Sequence, residues 1–532
     1  MAANEAGALA GVRIELLDTT LRDGTQAEGV TLSVRDKIAV AEALAAFGVD
    51  LIEGGWPGSN PRDADFFEAM KGRSLPGGAR LAAFGATRRR GLAPEDDPSL
   101  AALLAAETPV VTLFGKSWTL HVTEALGVRL EENLTMIRES VAFLRAAGRR
   151  VVYDAEHFFD GYAEDPGYAL ATLEAAAEGG ADTLVLADTN GGRLPEEAFA
   201  AAAEAVRRFP EHTVGVHTHN DAELAVANSL AALRAGARHL QGTVGGYGER
   251  AGNANLTSLI PTLVLKYGAE LKAADRLQGL RELAHFVDER ANQTPNRRAP
   301  YVGDAAFAHK GGVHVSAVLK NPRTYEHVEP ERVGNRRRFL VSDLSGRSNL
   351  LAKLAEAGLE LAKEEAGPLL EEVKALERDG YAFEGADASF FLLARRLRGA
   401  PEPFRVDAFR SWTGGDAHGR WQAEATVQLT VAGRSVHTAA TGQGPVGALD
   451  NALRKALLNF FPELEAVGLA DYKVRVLEGQ EAGTASAVRV LVEMEGSDGR
   501  WSTVGASANV IEASLKALGD GYAYALVRAG LA

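Results

Sequence analysis

The stretch S-V-R-D-K-I-A-V-A-E-A-L-A-A-F-G-V-D-L-I-E, Ser33 to Glu53, contains one complete passage from helix to strand. Ser33 is a helix-capping residue type, Gly48 a helix stop, and between them apolar residues recur at helical spacing. V-D-L-I-E follows at Val49, a short apolar run of the kind that forms a buried strand. A helix feeding such a strand belongs to a crossover, and crossovers join parallel strands.

Outward from there, the same alternation fills residues 12 to 250. The strand-like runs are V-R-I-E-L-L from Val12, V-D-L-I-E from Val49, A-R-L-A-A-F from Ala79, P-V-V-T-L-F from Pro109, R-V-V-Y from Arg150, D-T-L-V-L-A from Asp182, T-V-G-V-H from Thr213 and R-H-L-Q-G-T-V from Arg238. The first seven are each followed by a loop and a helical pattern. Eight such units fit an α/β fold of the closed (β/α)8 TIM-barrel type, with an open doubly wound sheet as the rival. Unusual polar residues gather just past the runs: Asp18 to Asp23, Glu53, Glu156, Asp188 with Thr189, His217 with His219, and Glu249 with Arg250. In a barrel those strand ends converge on one mouth, the usual place for an active site.

Composition narrows the chemistry. Of 532 residues, 46% are hydrophobic and 24% charged, the balance of a folded globular chain. No apolar run approaches the roughly 20 residues of a membrane span, so no membrane partner is expected. A net charge of −14 speaks against nucleic acid, and Arg336 to Arg338 read as a solvated face. The first ten residues carry no basic group ahead of an apolar stretch, so they read as a loose tail rather than a secretory signal, and a cytoplasmic location is expected. The absence of cysteine excludes disulfides, thiolate metal sites and cysteine nucleophiles, leaving N and O ligands.

The barrel domain is expected over residues 1–284. Over 285–399, a Pro/Gly/Asn-rich loop, Asn292 to Gly312, and two long helical stretches read as a linker subdomain. From 400 to 532, strands such as W-Q-A-E-A-T-V-Q-L-T-V and D-Y-K-V-R-V-L begin an α/β domain with an internal repeat. G-Q-G-P-V-G-A-L-D-N-A-L-R-K-A-L from Gly442 matches G-A-S-A-N-V-I-E-A-S-L-K-A-L from Gly505, with Leu449-Asp450 on Ile511-Glu512 and Leu453 on Leu515 at a spacing of 62. A duplicated unit whose helix N-termini face an amino-acid carboxylate would be regulatory, and a dimerisation domain without ligand is the alternative.

In V-H-T-H-N-D, Val216 to Asp221, side chains alternate faces, so His217 and His219 point the same way and can share one ion. Two structural histidines on an ordinary strand are the alternative. L-L-D-T-T-L-R-D-G-T-Q, Leu16 to Gln26, sets Asp18, Arg22 and Asp23 past the first strand, near the seventh and eighth in a closed barrel. Asp supplies an oxygen ligand and Arg a planar fork for a carboxylate or developing enolate, although the loop taken alone reads better as a turn with an Asx cap and a surface salt bridge. G-T-V-G-G-Y-G-E-R-A-G-N-A-N, Gly242 to Asn255, lacks nucleotide-loop spacing. Its glycines admit close backbone approach, Asn253 could reach the ion, and Glu249 could order the loop, with a plain Gly-rich barrel rim as the alternative.

These motifs, with A-H-K-G-G-V-H from Ala308 and the C-terminal repeat, resemble the family of α-isopropylmalate, homocitrate and citramalate synthases from residue 12 onward. Within it, G-G-W-P-G-S-N-P-R-D from Gly54, A-D-T-N-G-G from Ala187 and L-V-S-D-L-S-G-R-S-N-L from Leu340 most resemble the citramalate-forming type, and Thr25 stands where isopropylmalate synthases usually have Glu. The resemblance implies an acyltransferase that condenses acetyl-CoA with a short 2-oxo acid. Pyruvate, giving citramalate for isoleucine synthesis, is the expected acceptor, and 2-oxoisovalerate, giving 2-isopropylmalate, the alternative. It implies a divalent ion, Mn, Mg or Zn, held by Asp23, His217 and His219 with Asn253 nearby. Arg22 would polarise the 2-oxo acid, Thr189 contact its carboxylate and Glu156 sit beside it. His314, followed by Val315-Ser316 where many isopropylmalate synthases have Gln-Asp, would act as base with Tyr325. A homodimer with isoleucine feedback is implied as well. Of two rivals, hydroxymethylglutaryl-CoA lyases depend on a cysteine this chain lacks; an inactive, amino-acid-binding regulator would have no use for the intact Arg22, Asp23, His217 and His219 set.

Overall fold

The computed structural model describes residues 9–415, 417–419, 421–477 and 486–531; most of the expected N-terminal tail, residues 1–8, lies outside them. The chain divides into two compact units. One runs to Phe307 and takes in Val328–Arg336, and the other consists of Ala308–His327 and the chain from Arg337 onward. Among the described residues no helix is long and apolar enough to cross a membrane.

In the first unit, β1 (Glu15–Asp18), β2 (Leu51–Gly55), β3 (Arg80–Ala86), β4 (Val110–Lys116), β5 (Arg150–Glu156), β6 (Thr183–Asp188), β7 (Thr213–Thr218) and β8 (His239–Gly242) close into a barrel in chain order. β1 pairs in parallel with both β2 and β8, Glu15 standing opposite His239, so no strand edge is left open. This excludes the doubly wound sheet. Each expected run overlaps its strand. The first starts three residues late, because Arg13 bridges Glu270 instead of joining the ladder.

The Ser33 to Glu53 passage folds as read. Ser33 Oγ accepts from the Asp36 backbone N–H, the Asp36 carboxylate accepts from the Ser33 N–H, and the helix Val34–Phe47 ends at Gly48 with φ 110°. A Cβ at Gly48 would lie 2.9 Å from the Lys272 carbonyl, so both the turn and the packing require glycine there. The helix buries Val40, Ala41, Leu44 and Phe47 in the main core between strands and helices. Inside the barrel a smaller apolar layer of Leu17, Leu51, Ala82, Val110, Val152 and Val185 fills the middle. Beneath it, Glu15 of β1 accepts two 2.6 Å bonds from Arg150 of β5 and lies 2.9 Å from His239 Nδ1. β1 and β5 are not neighbours, so this cluster spans the barrel floor.

The second unit begins with short helices, Gly312–Lys320, Arg347–Glu356, Ala366–Arg378 and Asp387–Leu397, and a two-residue parallel pair, β9 (Ala308–His309) with β10 (Arg338–Phe339). The two long helices expected here are broken up. Gly358 at φ 76° and Gly380 at φ 101° follow helix ends, where a left-handed residue stops propagation.

Two copies of a βββα unit follow. β11 (Phe404–Gly415), β12 (Trp421–Val431) and β13 (Arg434–Gly442) form one antiparallel sheet, packed by the helix Pro445–Leu457. β14 (Gly468–Val476), β15 (Val488–Gly496) and β16 (Gly499–Ser507) form the other, packed by Val510–Arg528. Each copy thus has three strands, and the register differs from the expected 62. Thr438 donates to the Ala452 carbonyl at 2.7 Å and Thr503 to that of Ala517 at 2.7 Å, a spacing of 65 from Thr438 to Thr503. The N-caps Gly444 and Asn509 keep the same spacing. A three-residue slip is nearly one helical turn, so the apolar stripe stays in phase in either register and sequence pattern alone cannot choose.

Candidate metal centre at the barrel mouth

The loop after β1 is pinned before it reaches Asp23. The Asp18 carboxylate accepts from the Thr20 backbone N–H and hydroxyl, both at 2.9 Å, and the Thr20 hydroxyl accepts from the Val244 N–H beyond β8 at 2.9 Å. Asp23 is thereby carried to the end of β7. Its Oδ2 lies 3.3 Å from His217 Nε2 and 3.9 Å from His219 Nε2, and the two Nε2 atoms are 3.3 Å apart. All three residues are buried. Among the described residues they form the one cluster of His and acidic side chains close enough to hold a metal ion.

Asn253 is brought alongside by a backbone bridge to His219. That approach depends on Gly252, at φ 93°, where a Cβ would lie 2.0 Å from the Gly246 carbonyl. Asp23 Oδ2 and both polar side-chain atoms of Asn253 are buried without a hydrogen-bond partner. Orphaned buried groups cost on the order of 1–3 kcal/mol each. A divalent cation between two imidazoles and a carboxylate would give Asn253 the partner the protein does not and would give Asp23 Oδ2, which has only ion-pair neighbours at 3.3 Å or more, a direct one, so the residues fit an ion.

Charge is arranged to suit. Burial opposes ionisation of Asp23, yet Arg22 and His217 beside it hold its carboxyl well below the usual range. Burial, and then His217, push His219 down to about 3, keeping it the neutral imidazole a metal requires. Against its own burial penalty, His217 is raised by Asp23. Arg22 is held flat: its Nε donates to Glu53 Oε2 at 2.6 Å, Nη1 lies 3.3 Å from Asp23 Oδ2, and its guanidinium carbon stands 3.8 Å from the centre of the Phe84 ring.

These groups open into a cavity of about 170 Å³ that Glu156 and Thr189 also line. Glu156, at the end of β5, is ion-paired with Lys116 at the end of β4. The Thr189 hydroxyl oxygen accepts from the His157 backbone N–H at 2.9 Å. An aromatic wall closes one side, Trp56 standing edge-on to Phe84 and Phe114 at 5.6 and 5.4 Å. Glu249, expected to order the Gly-rich loop, is mostly exposed. Arg250 performs that task, bonding the Asp221 carboxylate at 2.7 and 2.9 Å and the Thr189 carbonyl at 2.7 Å.

His314 and Tyr325 belong to the second unit, where their rings stack with centroids 4.1 Å apart. Next to Tyr325, Glu326 accepts two 2.6 Å bonds from Arg337 and lies 3.1 Å from His309 Nε2. Arg337 is therefore not part of a solvated basic face. Sequence reasoning passed over the aromatic wall, Lys116, and two residues deeper in the barrel, Asp154 and Gln241. Asp154 had one readable signal: it lies two residues before Glu156 on β5 and so shares its inward face.

A family model described as HMGL-like matches residues 13–287, one described as homocitrate synthase post-HMGL domain-like matches 301–380, and one described as LeuA allosteric (dimerisation) domain matches 384–526. The chain is 52% identical to an (R)-citramalate synthase of Aquifex aeolicus, over 97% of this chain and 98% of that one. It is 51% identical to an (R)-citramalate synthase of Geobacter sulfurreducens, over 96% and 97%. The chain belongs to the citramalate synthase family. A probable 2-isopropylmalate synthase of Methanopyrus kandleri stands further off, 34% identical over 95% of this chain and 97% of its own. The family resemblance read from the motifs is thus borne out along nearly the whole chain, and the citramalate type is favoured over the isopropylmalate type.

Proposed function

We propose that the chain condenses acetyl-CoA with pyruvate and water to give (R)-citramalate and free CoA, on the route to isoleucine. The observation that carries this reading is the buried Asp23, His217 and His219 group beside Arg22, in a mouth narrowed by Trp56, Phe84 and Phe114. A divalent ion held there by Asp23, His217 and His219, with Asn253 beside it, would supply Lewis acidity toward the 2-oxo acid. Zn, Mn and Mg all accept such a donor set.

Arg22, already fixed in plane by Glu53 and Phe84, donates to the acceptor and takes up negative charge as the carbon–carbon bond forms. Thr189, whose oxygen is engaged by His157, keeps its hydroxyl proton for the acceptor carboxylate. Glu156, restrained by Lys116, lies beside the reacting carbon. His314, its ring stacked on Tyr325, removes the proton from the acetyl methyl group. Water then cleaves the thioester. The aromatic wall of Trp56, Phe84 and Phe114 offers an apolar surface for the methyl group of pyruvate.

The test is free CoA, followed with a thiol reagent, when purified protein meets acetyl-CoA with pyruvate, 2-oxoisovalerate or 2-oxoglutarate. The protein has no cysteine to add background. Clear preference for 2-oxoisovalerate would replace this reading with the isopropylmalate one. The βββα repeat lies in the stretch matched by the LeuA allosteric (dimerisation) model, and we assign it isoleucine feedback and homodimer contacts. A cytoplasmic location goes with a biosynthetic role.

A further inference from the structure

Behind the metal cluster, inside the barrel, His217 turns its other nitrogen toward two buried polar side chains that the reaction scheme does not use. His217 Nδ1 lies 2.9 Å from Gln241 Oε1, and Gln241 Nε2 donates to Asp154 Oδ1 at 2.8 Å. The three residues stand on β7, β8 and β5, and Gln241 is fully buried. The segment of Asp154 and that of Gln241 are 87 residues apart, so the contact is a product of barrel closure rather than of a local motif.

We propose that Asp154 and Gln241 form a directed hydrogen-bond chain that fixes His217 as its Nδ1–H tautomer and so presents the Nε2 lone pair to the ion. The inference rests on the metal site proposed above and assigns these two residues a positioning role in it. Its logic is one of donors and acceptors. An amide can face its neighbours either way round, with NH2 or C=O toward the imidazole. Gln241 Nε2 donates to Asp154 Oδ1, so the amide turns its NH2 toward Asp154. Its carbonyl is then left facing His217, and only a protonated Nδ1 can donate to it. In the neutral ring the proton is thereby kept off Nε2, the atom 3.3 Å from both Asp23 Oδ2 and His219 Nε2. Reversal of the amide would place a proton on that nitrogen and remove it as a ligand. Metal-bound imidazoles are commonly oriented by a partner on the far nitrogen, and loss of that partner costs about 10–100-fold in affinity or activity. Here the partner is itself oriented by a third residue.

Three variants of the full-length protein test the chain: Gln241→Met, which fills the space without an acceptor, and Asp154→Leu against Asp154→Asn. Mn2+ affinity is measured by calorimetry on each, circular dichroism checks the fold, and 15N NMR of labelled histidine reads the His217 tautomer in metal-free protein. Gln241→Met and Asp154→Leu are expected to bind Mn2+ about 10–100-fold more weakly, with signal from protonated Nε2 appearing at His217. Asp154→Asn offers a donor as well as an acceptor, so it fixes the Gln241 amide less firmly and should fall between the parent and Asp154→Leu. Parental affinity and tautomer in folded Gln241→Met, or in folded Asp154→Leu, would overturn the directed chain. Should Gln241→Met fail to fold, the Asp154 pair decides alone. A parent protein that binds no divalent ion would instead sink the metal reading beneath it.

Discussion

His217 meets the cluster with one ring nitrogen and the barrel interior with the other, so its removal strikes the site without opening the apolar core. His217→Ala should abolish CoA release while the circular dichroism spectrum stays parental; near-normal turnover would return V-H-T-H-N-D to an ordinary strand end. Arg22 differs in kind, because its contribution depends on a planar group wedged between Glu53 and the Phe84 ring. Arg22→Lys keeps the charge and loses the plane, and should lower kcat by about 10²-fold, in the range for loss of one preorganised donor. On the aromatic wall, Trp56→Ala should shift the kcat/KM ratio toward 2-oxoisovalerate by roughly 10–200-fold, the scale on which apolar pockets discriminate. An unchanged ratio would take acceptor choice away from this ring. At this scale, what could be read from sequence was what lies close in sequence. Asp23 with Arg22, and His217 with His219, are neighbours in sequence and declare themselves. The Trp56, Phe84 and Phe114 wall comes from three strand ends, and its rings look like ordinary core residues until the barrel brings them together.

Among the elements, β1 contributes more than its four residues suggest. Glu15 ties it to β5 and β8 across the floor, and although burial alone would raise its carboxyl, His239 and Arg150 hold it well below the usual range. A carboxyl depressed in this way stabilises the fold fully above the unfolded value, near pH 4.3, and loses that contribution as acid protonates it. Glu15→Gln should therefore lower the melting temperature at pH 7, and the gap to the parent should close below about pH 4. A gap that widened in acid would contradict the assignment. In the C-terminal repeat, the Tyr522 hydroxyl donates to Asp450 Oδ1 at 2.6 Å and so links the helices of the two copies. Tyr522→Phe should cost about 1–3 kcal/mol in denaturant unfolding. The repeat was legible from composition and turn residues, its register was not, and the shift from 62 to 65 moves every proposed pairing by almost one turn.

Over the whole molecule, the boundary near residue 400 is a change of pattern rather than a seam. Ala388 and Leu392, in the helix Asp387–Leu397, pack into the core of the repeat, and the Val504 N–H donates to Ser389 Oγ at 3.0 Å. A chain cut at residue 399 should therefore aggregate, and feedback is better measured on the intact protein. CoA release by the full chain should fall as isoleucine is titrated, and a flat response at saturating isoleucine would remove the regulatory role from the repeat. The barrel itself was legible as a count of alternating units. Its closure was not, because the pairing of β1 with β8 leaves no mark in either segment.

That pairing also sets a clock. Glu15 and His239 face each other across 224 residues, and Asp23 needs β7 and β8 in place before it has histidines to face. During synthesis at roughly 5–20 residues per second, the ribosome must work for about 10–45 s after releasing the first strand before the last can join it. A nascent chain thus carries its carboxylate long before it carries a site. Asp23, His217 and His219 come together late, only in molecules that have already closed the ring.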